Sequence, residues 1–222
     1  MFRLSVLILL IYSVFAVHIL AQNPLRFGSG IFVGYNLAQI DGDDMQGYDK
    51  PGKNFGIKGI AFILPTFEFH TELSYSERGS QSKAYAKDQF RGRQIVLNYG
   101  SITGLLTVND WFDPIKEYFR LQLQGGVSYG RIIKFDTHDP SIGGTDGRKA
   151  NFAEVSPYFN NNDITMILGA NIKIMEHVGF TLRYNRSMNN LLDGPAVQKY
   201  LGKKTVLTMK GYFLSFNAFY QF

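Results

Sequence analysis

Apolar and polar residues alternate along most of this chain with a period of two. That period is the mark of strands with two unlike faces. Eight segments show it. In the first, Arg26–Ile40, one face carries Phe27, Ile31, Val33, Tyr35 and Leu37. Gly28, Gly30, Gly34, Asn36 and Ala38 share the other, with Phe32 as the exception. The second, Phe55–Leu64, has less distinct faces and ends at Pro65-Thr66, which cannot continue a ladder and makes a tight turn. The third, Phe67–Arg78, is the clearest: Phe67, Phe69, Thr71, Leu73 and Tyr75 oppose Glu68, His70, Glu72, Ser74, Ser76 and Arg78. The remaining segments are Gln94–Val108, Tyr118–Phe135, Ile164–Met175, Val178–Arg186 and Val206–Phe222.

The connections alternate in length. Pro65-Thr66, Asn109–Glu117 and Glu176-His177 are the shorter ones. Long polar stretches, Asp41–Asn54, Gly79–Arg93, Asp136–Asp163 and Ser187–Thr205, fill the gaps between. An all-β, eight-stranded antiparallel up-and-down transmembrane barrel of the OmpA/OmpX type produces this order, with short turns at the periplasm and long loops outside. Both termini then lie on the periplasmic side.

The last strand supports the same architecture. Tyr212, Leu214, Phe216, Ala218, Tyr220 and Phe222 share a face, and the sequence stops on an aromatic. Phe222, Tyr220, Phe216 and Leu214 are therefore the expected C-terminal assembly signal. A soluble, lipocalin-like barrel has the same period with the faces reversed. Against it stand the loop alternation, the aromatic end, and the Gly- and Ser-rich polar row, which suits a small barrel's crowded inside. Phe27, Tyr75, Tyr99, Phe119, Tyr184, Tyr220 and Phe222 fit interfacial girdles.

The N-terminal residues form a different pattern. Met1-Phe2-Arg3 precedes an almost purely apolar run, Leu4–Leu20, and cleavage after Ala21 leaves Gln22 as the mature start. Residues 1–21 are thus the expected Sec signal peptide, residues 22–222 one barrel domain, and the cell outer membrane the expected address. An uncleaved anchor helix is the alternative, since the run approaches spanning length. The formal net charge is +5 and there is no Cys, so no disulfide, thiolate metal site, Cys nucleophile or lipidated Cys is available. The basic excess has no run beyond Lys203-Lys204, and a basic face interleaved with stacking aromatics is absent, which argues against nucleic acid.

Candidate chemistry sits on the polar faces. Glu68, His70 and Glu72 share one face of a strand, as a metal site or an acid–base group would require. An internal salt-bridge network explains them better: Arg78, Arg120, Arg183 and Lys58 are expected to face the same lumen and satisfy buried charge. Asp41-Gly42-Asp43-Asp44 resembles a calcium-loop fragment but lacks the spaced Glu, and Asp136, Asp139 and Asp146 have the same ambiguity in a Gly-rich loop. His138 and His177 stand alone. Trp111 and Phe112, in the longest expected periplasmic turn, suit either membrane anchoring or a partner. No catalytic set, cofactor or metal site is assigned.

Several short stretches carry a family resemblance. Gly34-Tyr35-Asn36-Leu37 followed by Asp41-Gly42-Asp43-Asp44, Glu72-Leu73-Ser74-Tyr75-Ser76-Glu77-Arg78-Gly79, Leu97-Asn98-Tyr99, and Arg183-Tyr184 followed by Asn189-Asn190-Leu191 are similar to motifs of PorT-type outer-membrane β-barrel proteins of Bacteroidetes, a porin-like family. The chain departs in the fourth strand, where Gly100-Ser101-Ile102-Thr103 follows the Tyr. The resemblance implies a barrel without a defined catalytic set, and some relatives serve type IX secretion and gliding. Expected partners are outer-membrane lipid and lipopolysaccharide, the barrel-assembly machinery, and a secretion or surface protein. A non-catalytic structural, surface-interaction or secretion-accessory role leads. A narrow passive pore and an outer-membrane enzyme using the lumenal Glu/His group are the alternatives.

Overall fold

The computed structural model describes residues 26–43, 45, 47–87, 92–115, 117–139, 156–201 and 208–222. The expected leader with its expected cleavage site, Asp44, Asp146 and Lys203-Lys204 lie outside the described residues. Eight strands follow in order: β1 (Phe27–Asp41), β2 (Lys50–Leu64), β3 (Phe67–Gln81), β4 (Gln94–Asp113), β5 (Tyr118–His138), β6 (Asn162–Lys173), β7 (Val178–Ser187) and β8 (Lys210–Gln221). Each pairs antiparallel with the next, and β8 returns to β1 from Gly30↔Gln221 to Asp41↔Lys210. Closure gives every strand two neighbours, so no row of backbone donors and acceptors is left for lipid to meet unpaired.

The faces separate as the alternation requires. Val33, Ile57, Leu73, Ile102, Leu123, Val127, Leu168 and Leu182 are exposed on the outside. Asn36, Glu72, Thr103, Gln124, Thr165, Asn171 and Ser215 are buried inside. A barrel with apolar residues outward and polar ones inward is built for a lipid solvent. Tyr35 stacks on Phe216 and Phe55 on Tyr75 in an upper aromatic belt, at ring separations of 5.4 and 5.1 Å. Phe112 meets Phe119 and Tyr220 meets Phe222 in a lower one, both at 5.1 Å. Phe27 and Tyr35 lie eight positions apart on β1. At a rise of about 3.4 Å per residue and a tilt of about 40°, that is about 20 Å along the barrel axis, close to the apolar band of such barrels.

Several boundaries differ from the sequence reading. β2 begins at Lys50, because Lys50–Asn54 pair with Gly34–Ala38 although Lys50, Pro51, Gly52, Lys53 and Asn54 show no apolar alternation. β4 continues to Asp113, pairing Asp110↔Leu121 through Asp113↔Tyr118, so the expected connection Asn109–Glu117 begins only after Asp113, whose carbonyl accepts from the Glu117 N–H at 2.8 Å. Trp111 and Glu117 in this ribbon have φ of 50° and 57°. β6 ends at Lys173, leaving residues 174–177 as a turn closed by the Ile174 N–H donating to the Val178 carbonyl at 2.9 Å. The long connections hold structure of their own: helix α1 (Lys83–Lys87), a 3₁₀ turn at Ser156–Tyr158, and helix α2 (Gly194–Leu201). Asp193 caps α2, its side chain accepting from the Ala196 N–H at 3.3 Å, and Pro195 stands in the first turn, where no backbone donor is needed.

Candidate functional site

The barrel interior is the candidate site, and it is built in tiers. At the end of the barrel that carries the short turns, Glu68 and His70 come from alternate positions of β3 and so point the same way. Glu68 Oε2 lies 2.7 Å from His70 Nε2. Asn109 on β4 donates to Glu68 at 2.6 Å, and Gln122 on β5 donates to Asn109 at 2.7 Å. Asn171 on β6 donates to Gln122 at 3.0 Å and accepts from Thr181 on β7 at 2.7 Å. Five strands are thus tied by one chain of amide, hydroxyl and carboxylate contacts.

In the middle tier, Arg183 on β7 forks onto Glu72 on β3, with Nη1 and Nη2 donating at 2.6 and 2.7 Å. Gln124 accepts a third bond from the same guanidinium at 3.1 Å. The two strands are far apart around the barrel, so the pair spans the lumen. Around it, Asn36 donates to Ser76 at 2.9 Å and Ser215 donates to Asn36 at 2.8 Å. Gly34 allows this close packing: a Cβ there would sit 1.9 Å from the Phe216 carbonyl oxygen.

Above it, Arg78 on β3 donates to Asp163 on β6 at 2.8 Å and to Thr165 at 3.1 Å. Its guanidinium lies between the rings of Tyr99 and Phe213, 4.7 and 4.3 Å from their centroids. Cation–π contact offsets part of the desolvation of a buried Arg. The next residue, Gly79, has φ of 139°, and a Cβ there would meet the Ile95 carbonyl at 2.0 Å, so this bend in β3 requires glycine.

The mouth at the end that carries the long connections is closed by an apolar core. Ile40, Ile95, Leu97 and Tyr99 from the strands meet Met45, Phe159, Leu191, Leu192, Val197 and Met209 from the connections. Backbone bonds hold two of these connections together: Asn160 N–H to the Leu191 carbonyl and Asp193 N–H to the Tyr158 carbonyl, both 2.8 Å. Two cavities of about 10 and 20 Å³ lie beneath the cap and in the middle tier. Each holds a water molecule or two at most.

The structure places Glu68, His70, Glu72, Arg78 and Arg183 inside the barrel, in separate pairs rather than one cluster. Three residues are placed differently from the sequence reading. Arg120 does not join the lumenal carboxylates. The β4–β5 ribbon runs past the barrel rim, so Arg120 lies below the last tier, 3.8 Å from Asp113 and stacked over Trp111. Lys58 does face the lumen, opposite Glu72 in register, but makes no ion pair within 4.0 Å among the described residues; its ammonium sits 4.0 Å from the Phe219 ring centroid. Tyr99, expected in a lipid-facing girdle, is 1% exposed and points inward. Its phase explains this, since Ser101, Thr103 and Thr107 on the same strand are also inside.

Asp163, at the end of an expected loop, is the partner of Arg78. Extending the alternation of β6 by one residue beyond Ile164 would have found it. Phe32, Phe213 and Phe219 are buried in the polar row as lumenal rings. Among the described residues no group of three or more His, Asp or Glu side chains is placed to hold a metal. Phe222 and Tyr220 end β8 beside the turn after β6, where the Gln221 N–H donates to the His177 carbonyl at 2.7 Å.

Neither a family model nor a curated protein matches the chain. Among solved structures it is similar to Ail, the attachment invasion locus protein of Yersinia pestis, in complex with the heparin analogue sucrose octasulfate, at 15% identity over 89% of this chain and 100% of that one, with a TM-score of 0.46. It is also similar to Neisserial surface protein A, at 12% identity over 89% and 98%, TM-score 0.43. OprG from Pseudomonas aeruginosa follows at 12% over 88% and 94%, TM-score 0.38. Scores this low add nothing to the fold, which rests on the register and faces of β1–β8. That fold is a small eight-stranded transmembrane β-barrel.

Proposed function

We propose that this is an integral outer-membrane barrel with a non-catalytic role, a closed and rigid scaffold that presents its extracellular connections to a surface or secretion partner. The observation that carries the reading is the closed mouth: ten buried apolar residues seal the outer end above a lumen already filled by paired side chains. Loops held on a rigid scaffold are where binding surfaces commonly lie. The resemblance to PorT-type proteins favours an accessory of a secretion machine in Bacteroidetes, exported through the Sec pathway, with both termini periplasmic. In that setting the outward residues of β8, Leu214, Phe216, Tyr220 and Phe222, would serve the assembly machinery.

The pore alternative needs a continuous wet path, which cavities of 10 and 20 Å³ do not supply. The enzyme alternative needs substrate to reach Glu68 and His70, and both are buried. Planar-bilayer recording tests the first: the reading expects no stable single-channel steps, and steps would favour the pore. The triple change Glu68→Gln, His70→Asn, Glu72→Gln tests the second, since loss of a hydrolytic activity with the barrel intact would favour catalysis. Affinity isolation from native membranes, with a tag between β5 and β6, is expected to recover a stable companion. Recovering none would count against the accessory role.

A further inference from the structure

We infer that the outer surface of β7, β8 and β1 carries a site for a phosphate-bearing glycolipid headgroup of the outer leaflet. The inference rests on the outer-membrane reading and names one ligand site on that barrel. Arg186 on β7 and Tyr212 on β8 are cross-strand partners. Tyr184 and Lys210 lie on the same outward face, each two residues from one of them. Tyr48, in the connection after β1, folds back against this surface and meets Tyr212 edge-on at a ring separation of 5.4 Å. Gln39 holds that connection in place, accepting from the Gly47 N–H at 2.9 Å and donating to the Met45 carbonyl at 3.3 Å. The result is a ledge beside the barrel wall, with three tyrosines and two cations.

Its height fits the headgroup zone. Tyr184 lies beside Leu214, just above the upper aromatic belt, and Arg186 and Lys210 lie farther out. Neither cation makes an ion pair within 4.0 Å among the described residues, and Arg186 is exposed. Asp41 opposes Lys210 in register and is exposed, whereas Asp43, the other carboxylate near Tyr212, is buried. Neighbouring strands are about 4.8 Å apart, which leaves Arg186 and Lys210 about 8 Å apart over the sheet. A guanidinium binds phosphate through parallel donors, and tyrosine rings offer flat faces and hydroxyls to a sugar. A membrane phosphate attracts such cations, each contributing about 1 kcal/mol, or about fivefold in retention.

Native mass spectrometry of the detergent-solubilised barrel, titrated with bisphosphorylated lipid A, tests the site. The wild-type protein is expected to retain one lipid A, and the Arg186→Gln, Lys210→Gln double variant to bind about twenty-fivefold more weakly. Arg131→Gln removes one positive charge from the outward face of β5, as each single change at Arg186 or Lys210 does, and is expected to change nothing. Tyr212→Phe is expected to weaken retention while keeping the ring contact with Tyr48. Undiminished retention by the double variant overturns the site. So does equal loss in Arg131→Gln, which would mean diffuse attraction, or equal retention of phosphatidylglycerol or phosphate-free lipid A. Insertion of every variant into phospholipid vesicles is read separately: a barrel that inserts but ignores lipid A defeats the site alone, whereas failure of the wild type to insert defeats the membrane reading.

Discussion

Arg183 and Glu72 meet across the barrel lumen in a two-pronged ion pair, 2.6 and 2.7 Å long, between strands that are not neighbours. Removing one partner leaves a buried charge without its counterion, which costs about 3–5 kcal/mol. Replacing both by apolar side chains of similar volume is far less costly. Glu72→Gln and Arg183→Met are each expected to lower the urea midpoint of the detergent-solubilised barrel sharply. The Glu72→Leu, Arg183→Met double variant should recover most of the loss. A strictly additive double variant would show that the pair does not act as a unit.

The cap over the mouth gives a second expectation. Leu192 is fully buried there, and α2 presses Val197 into the same core. Leu192→Ala should cost the cap about 2–5 kcal/mol through lost burial and a residual cavity. Because the strands carry their own ladder, the barrel should persist. Hydrogen exchange should therefore rise at residues 188–201 and stay slow in β1–β8; uniform loss of protection would contradict a separately closing cap.

Lipid exposure can be checked one residue at a time. Leu168 is outward on β6, and Arg at that position should cost about 2–4 kcal/mol near the middle of the bilayer. Thr165 on the same strand is inward, and Thr165→Ser there keeps a hydroxyl and should cost under about 1.5 kcal/mol. Reversible unfolding from vesicles by urea measures both. A tolerated Leu168→Arg would place that face in water.

Asp43 adds a pH dependence at the root of the first long connection. Its side chain is buried and accepts from the Met45 N–H at 2.8 Å. Burial raises its pKa above the ordinary Asp value, with hydrogen bonding opposing it in part. A raised folded-state pKa means the folded form holds the proton more tightly than the unfolded one. Its stabilising contribution is complete below the unfolded value of 3.8 and is lost as pH rises through the raised value. Protease nicking near Tyr48 should therefore slow on acidification from neutral pH. Asp43→Asn, which cannot ionise, should flatten that dependence.

Period two along each strand, with the alternation of short and long connections, was enough to read eight strands, their antiparallel order and the inward face that carries Glu68, His70, Glu72, Arg78 and Arg183. A strand's side-chain direction is a local property, so one chain can announce it. Which inward residues touch was decided only by closure and stagger. Register brought Asp163 to Arg78, Phe219 to Lys58, and the β4–β5 ribbon past the rim, carrying Arg120 away from the lumen. The apolar cap was not visible either, because its residues are scattered over three connections without a repeating period. They become a core only when the barrel mouth brings those connections together, and contacts across such sequence distances are fixed by packing, not by local pattern.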